Sequence, residues 1–281
     1  MPELARIISA LNQFANFFGR ALANAVAPLP GWLSATVIGV LTGVVMLVGY
    51  KYTSNQRAIK RVRDQMKANM LSLKLFKDNM RSVFGSQLGL VGGAGKLLLH
   101  SLLPMVVMFI PITLAMTQLS LWYQMRPLQV GETAVVSLQL RDDTPTPLPA
   151  VKLDGGDFAE IVTGPVRIDS TKEVTWEIVA RTTGLHELQF DVNGELVTKS
   201  LSIGDRYLRV SLLRPTLKSW VDVVLNPAEQ PFAVDSAVQS IAITYPERDS
   251  WTSGTDNWVI YWLVVSMAAA FALKSVFNVN L

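Results

Sequence analysis

Three stretches of this 281-residue chain, Trp32 to Tyr50, Leu97 to Trp122 and Trp258 to Leu273, contain no Asp, Glu, Lys or Arg. An apolar run of about 20 residues, at about 1.5 Å per helical residue, covers a hydrocarbon layer roughly 30 Å thick. Hydrocarbon offers backbone N–H and C=O groups no water, so such runs are constrained to helices that satisfy their own hydrogen bonds. The sequence therefore predicts three spanning helices over 32–50, 97–122 and 258–277. Trp32, Tyr50 and Tyr52 suit the aromatic belts at membrane surfaces, and Lys274 closes the last run with a stem long enough to reach an interface. Pro104 and Pro111 lie inside the second run, where each removes a backbone hydrogen bond and favours a kink.

The charges outside these runs are segregated. Segment 51–96 holds ten basic and two acidic residues, whereas 123–257 holds twelve basic and nineteen acidic. The positive-inside rule places 51–96 in the cytoplasm and 123–257 outside. The N-terminus is then external and the C-terminus cytoplasmic, in a multi-pass protein of the cell (plasma or inner) membrane. Half of the residues are hydrophobic and 17% are charged, a balance that fits part membrane and part globule. There is no cysteine, which excludes a disulfide framework and thiolate metal sites.

Before the first span, Leu4, Ile7, Ile8, Leu11, Phe14 and Phe18 recur at helical spacing between polar residues, predicting an amphipathic helix over 1–27. It either lies flat in the membrane interface or packs on the spanning helices. Its small residues Ala21, Ala23 and Ala25 precede the apolar core rather than follow it, which is not the order of a secretory signal. Within 51–96, Ile59, Val62, Met66, Met70, Leu73, Phe76, Met80 and Phe84 predict a single helix with one greasy and one basic face, ending near Gly85. Gly89, Gly92, Gly93 and Gly95 read as a hinge before the second span, since no GKS/T ending makes them a phosphate loop.

The external segment alternates in character. Thr133 to Leu140, Glu173 to Ala180, Leu185 to Val192 and Glu195 to Ile203 predict half-buried antiparallel strands, with Trp176 in the core and Asn193-Gly194 as a tight hairpin turn. Strand-like pieces at Tyr207–Leu213, Val221–Leu225 and Ser240–Tyr245 complete the domain or drape over it. The succession of Trp-bearing strand, Gly184, strand, Asn-Gly turn and strand resembles the latter half of immunoglobulin-like sandwiches. The predicted fold class is a membrane α-helical protein with an inserted all-β, immunoglobulin-like sandwich domain.

No nucleophile and base are arranged for catalysis, and His100 and His186 read as structural residues. Asp142, Asp143, Asp154 and Asp157 lack the spacing of a calcium loop. No enzyme, metal, cofactor or DNA partner is expected. Ser34, Thr36, Thr42, Thr113, Thr117 and Gln118 are polar but uncharged within the spans, either lining a mildly hydrophilic groove or bonding between helices. Arg57, Lys60, Arg61, Arg63, Lys67, Lys74 and Lys77 orient the chain, and also suit anionic lipid headgroups or an RNA-rich particle such as the ribosome. Met66, Met70 and Met80 give the greasy face an adaptable character, suited to varied apolar partners or to packing on the protein's own helices.

Ser54-Asn-Gln-Arg-Ala-Ile-Lys-Arg-Val-Arg-Asp-Gln-Met-Lys67 directly after the first span, the Met-containing run to Arg81 and the Pro-containing second span together resemble the YidC/Oxa insertase superfamily. Its smaller archaeal members and the related endoplasmic-reticulum membrane proteins are the most similar in arrangement. The resemblance covers roughly 32–122 and 258–277. It implies a groove of three helices that passes hydrophobic client segments into the bilayer. Ser34, Thr36, Thr42, Met105, Met108, Thr113, Thr117 and Gln118 would line that groove, the Met stripe would meet clients, and the basic helix would face ribosome or lipid. The other expectation is a structural or adaptor subunit whose β-domain binds an external protein partner.

Overall fold

The computed structural model describes residues 2–76, 79–254 and 257–279; Lys77 of the basic segment lies outside them. In chain order the elements are α1 (Pro2–Val26), α2 (Gly31–Thr53), α3 (Gln56–Leu75), α4 (Met80–Tyr123), β1 (Thr133–Leu140), β2 (Val151–Asp154), β3 (Ala159–Ile168), β4 (Glu173–Ala180), β5 (Gly184–Val192), β6 (Glu195–Ile203), β7 (Leu213–Arg214), α5 (Trp220–Leu225), β8 (Val238–Ile243) and α6 (Asn257–Leu273). The chain divides into two bodies, one of Met1–Ala35 with Leu114–Tyr261, the other of Thr36–Thr113 with Trp262–Leu281. Helices α2 and α4 are long and apolar enough to cross a membrane, while α6 is an apolar helix of 17 residues.

In the second body, the segment expected to be a single basic helix is two. Asn55 caps α3 by accepting from the Ala58 N–H at 3.1 Å, and α3 ends where Phe76 N–H returns to Ser72 O. Asn79 then caps α4, accepting from the Ser82 N–H at 3.2 Å. Asparagine at an N-cap satisfies a donor that the first turn leaves open, so each Asn restarts a helix. The glycines do not form a hinge. They lie inside α4, and two of them let α3 approach: a Cβ on Gly93 would sit 2.5 Å from Met66 Cγ, and one on Gly89 would sit 2.4 Å from Asn69 Nδ2. The contacts run in opposite chain directions, so α3 and the start of α4 form an antiparallel hairpin over buried Ile59 and Val62. Helix α4 continues through Pro104 and Pro111 as one element of 44 residues, about 66 Å long.

The first body contains the β-domain. Its antiparallel strands form a five-stranded sheet in the order β3-β4-β1-β8-β7 and a three-stranded sheet in the order β2-β5-β6. Alternation sets the inward faces: Val136, Leu138 and Leu140 of β1 and Val174, Trp176 and Ile178 of β4 share one core with Leu188, Phe190, Leu201, Ile203 and Ile241. The register pairs Val136 with Trp176, which is 3% exposed. Asn193 and Gly194 have φ of 52° and 87°, the positive values a two-residue type I′ turn requires. The four strands read from alternation are present, and Ser240–Tyr245 overlaps β8. Two expectations change. Val221–Leu225 is helical within α5, because Ser219 caps it by accepting from the Asp222 N–H, and the β-branched composition gives way to that local bond. Tyr207–Leu213 contributes only Leu213 to a strand.

Candidate functional site

The hairpin carries the basic residues on its outer surface. Arg57, Lys60, Arg61, Lys67 and Lys74 are exposed and Arg63 is half-buried, and among the described residues none of them is in a salt bridge. The Met stripe divides. Met66 packs on Gly93, whereas Met70 and Met80 are 55% and 82% exposed. Met80 begins a longer feature. Met80, Phe84, Leu88, Val91, Leu98, Leu102, Met105 and Phe109 recur at steps of three or four along α4, with Gly95 completing the rhythm, and all eight are between 53% and 82% exposed. Three- and four-residue steps keep a side chain on one helix face. A greasy track without a charged member therefore runs from the hairpin tip into the most apolar part of the helix.

The polar residues expected to line a groove bond mostly to their own helices. Thr42 donates to Ile38 O, Thr113 to Phe109 O at 2.8 Å and Thr117 to Leu114 O at 3.2 Å. Such back-bonding satisfies a hydroxyl within an apolar helix. Thr36, Thr42, Met105, Met108 and Thr113 belong to one body, and Ser34, Thr117 and Gln118 to the other. Ser34 is buried and accepts from the Tyr123 hydroxyl at 3.0 Å. Met108 packs on Gly49, whose added Cβ would sit 2.8 Å from its sulfur. Helices α2 and α6 meet through Gly39 and Gly43: a Cβ would stand 2.8 Å from Val265 Cγ1 at the first and 2.4 Å from the Ser266 carbonyl oxygen at the second. This is small-residue packing of the kind that brings helices together where lipid supplies no hydrophobic drive.

Helix α1 touches the predicted spanning helix α4, as one sequence alternative had it, but it also packs on the β-domain, which neither alternative named. Its small and polar edge, with Ala5, Asn12 and Ala23 buried, faces the β-domain: Asn12 Nδ2 donates to Val223 O at 2.7 Å and Asn16 Nδ2 to Pro227 O at 2.8 Å. Gln118 of α4 donates to Asn16 Oδ1 at 2.8 Å. The other edge, with Ile7, Phe14, Phe17 and Phe18, is more than half exposed.

Beside this junction lies a buried ionic cluster. Alternation on β6 turns Lys199 inward between Val197 and Leu201, and its Nζ donates to Glu229 Oε1 at 2.6 Å and to Ser211 O and Oγ at 2.7 Å. Glu229 Oε2 accepts from the Ser200 N–H at 3.0 Å. Burial pulls the Lys199 ammonium below its ordinary value despite Glu229. Burial alone would push the Glu229 carboxyl up, but Lys199, Ser211 and the Ser200 N–H outweigh it and hold it below the usual carboxylate range. The sign for stability follows from the carboxyl: its contribution is present above the unfolded pKa of about 4.3 and is lost as pH falls through the lower folded value. Melting temperature of the full chain in detergent is expected to drop on acidification below about pH 4.5, with a shallower drop in Glu229→Gln. An identical pH profile for the two proteins would contradict this account.

The signal for Lys199 was legible as the pattern Val197-x-Lys199-x-Leu201-x-Ile203, a cation at an inward position. Arg209, Arg214 and Glu229 had no such signature, because they come from irregular segments and a two-residue strand. His186 stacks on Phe158 at 4.4 Å and bonds Thr182 O through its Nε2. Among the described residues no group of three or more His, Asp or Glu is gathered as metal ligands.

These features define a helical chain with two helices long and apolar enough to cross a membrane and an antiparallel β-domain. Comparison with family models, with curated proteins and with solved structures gives no match to this chain.

Proposed function

We propose that this protein is an insertase-type biogenesis factor that guides hydrophobic segments of client proteins into a membrane. The observation that carries the reading is the greasy track on α4, from Met80 at the hairpin tip to Phe109. Met80, Phe84, Leu88 and Val91 precede the apolar run that begins at Leu97, and large apolar side chains held toward water there are unfavourable unless something covers them; an apolar helix is the occupant that three-and-four spacing fits. The cations on α3, which form no salt bridge among the described residues, support a cytoplasmic hairpin near anionic lipid or ribosomal RNA. In this reading α2, α4 and α6 all span, the N-terminus and β-domain are external, and the C-terminus is cytoplasmic. The hairpin also strengthens the resemblance to the YidC/Oxa arrangement. The β-domain is proposed as immunoglobulin-like, because β3-β4-β1 and β2-β5-β6 follow the D-E-B and C-F-G strand orders, with β8 in the place of strand A.

Photo-crosslinkers at Met80, Phe84 and Met105 should capture nascent membrane proteins, and depletion should impair insertion of clients with short external tails. Capture at Glu177 on β4 without capture at Met80, together with an unchanged membrane proteome, would sink the proposal. That outcome belongs to the adaptor reading, which edge strand β3 favours: Ile161, Val162, Val166 and Ile168 are exposed there, on a strand paired on one side only.

A further inference from the structure

We infer that the cleft between α1 and the β-domain binds a phosphate-bearing anion, received between Arg20 of the helix and Arg214 of the domain. The cleft is about 610 Å³ in volume, and these two arginines stand in its walls. Arg214 is held in place: Nε donates to Gln230 O at 2.8 Å, Nη1 to Thr198 Oγ1 at 3.2 Å, and the guanidinium lies 4.2 Å from the Phe232 ring centroid. Among the described residues its Nη2 makes no bond and Arg20 makes none. A fixed guanidinium and a second, uncommitted one lining the same cleft are suited to phosphate oxygens.

Cations outnumber acids around the cleft. Glu229 also lines it, but its carboxylate is already engaged by Lys199, Ser211 and the Ser200 N–H, which leaves Glu187 as the other acid against Arg20, Arg214 and nearby Arg209. Burial and then the field of Arg20 pull Arg209 down to about 10, and its buried Nε and Nη1 have no partner among the described residues. Arg209 and Arg214 gather here beside Arg20 although segment 123–257 as a whole is acidic. Asn12, 4% exposed and in the cleft lining, commits Nδ2 to Val223 O and leaves Oδ1 without a donor. A buried acceptor in that state suits a ligand that carries an O–H or N–H beside its phosphate. Glycerophosphate and ethanolamine phosphate groups have that chemistry, and a lipid headgroup is the favoured source. The far edge of α1 presents Ile7, Phe14 and Phe18, as a helix lying in a membrane surface does.

The full chain in detergent should bind sn-glycerol 3-phosphate by calorimetry and retain phosphatidylglycerol, counted as phosphorus, after exchange in nanodiscs. Arg20→Gln should weaken both about tenfold or more, at unchanged melting temperature, since Arg20 is exposed and unpaired. Arg6→Gln, on the same helix but paired with Glu3, is the control and should bind as the parent does. Binding of the soluble ester without lipid retention supports the site with a soluble ligand as its source. Failure of the parent to bind either probe, or equal binding by Arg20→Gln, overturns the inference. Either result is independent of client crosslinking at Met80.

Discussion

Lys199→Met alone is expected to destabilise the protein by about 3–5 kcal/mol, whereas Lys199→Met with Glu229→Met should recover most of that loss. Lys199 is fully buried and the Glu229 side chain is 11% exposed, so the ions attract where water screens little. Removing the ammonium strands a carboxylate that Ser211 and the Ser200 N–H satisfy only in part. Removing both ions leaves an apolar gap that methionine can fill, and buried pairs replaced in this way are often neutral or better. Denaturant melts of the full chain in detergent would decide it. A single variant within about 1 kcal/mol of the parent would mean that water reaches Glu229 freely.

Gly43→Leu is expected to cost about 3 kcal/mol and to separate α2 from α6. Its Cβ would fall 2.4 Å from a backbone carbonyl oxygen of Ser266, a group that cannot rotate away as a side chain can. Val40→Leu, on a half-exposed face of the same helix, should change stability by under about 1 kcal/mol. Thermal unfolding of the two variants in one detergent is the comparison. Equal losses would remove the argument from close packing.

Much of the architecture was legible because its signals are local and repetitive. The β1, β4, β5 and β6 strands show apolar alternation, and Asn193-Gly194 forms the predicted turn because two adjacent residues must take positive φ. The hairpin was misread for a physical reason. Met66, Met70, Leu73, Phe76 and Met80 keep helical spacing across the break, so periodicity alone joins two helices that Asn79 separates by capping the second. The glycines misled in the same way: all four lie inside α4, and at Gly89 and Gly93 the missing side chain leaves the space that Asn69 and Met66 occupy.

The candidate site was legible in its composition and not in its connections. Cations at Arg57 to Lys74 and the methionines were visible, but periodicity could not say that Met66 would be covered while Met70 and Met80 stayed open. Likewise, the hydroxyls of Thr42, Thr113 and Thr117 could have pointed into a groove; backbone carbonyls one turn away took their donors.

By itself the sequence determined the apolar runs, the charge division and the alternating strands, since hydropathy and side-chain period act within a few residues of the chain. Tertiary structure decided which edge of α1 is covered, that α3 folds back on α4, and that Arg20, Arg214 and Glu229 line one cleft with Lys199 buried behind Glu229. Those outcomes depend on close approach and on hydrogen-bond partners up to 211 residues apart, as between Asn12 and Val223, which no local pattern encodes.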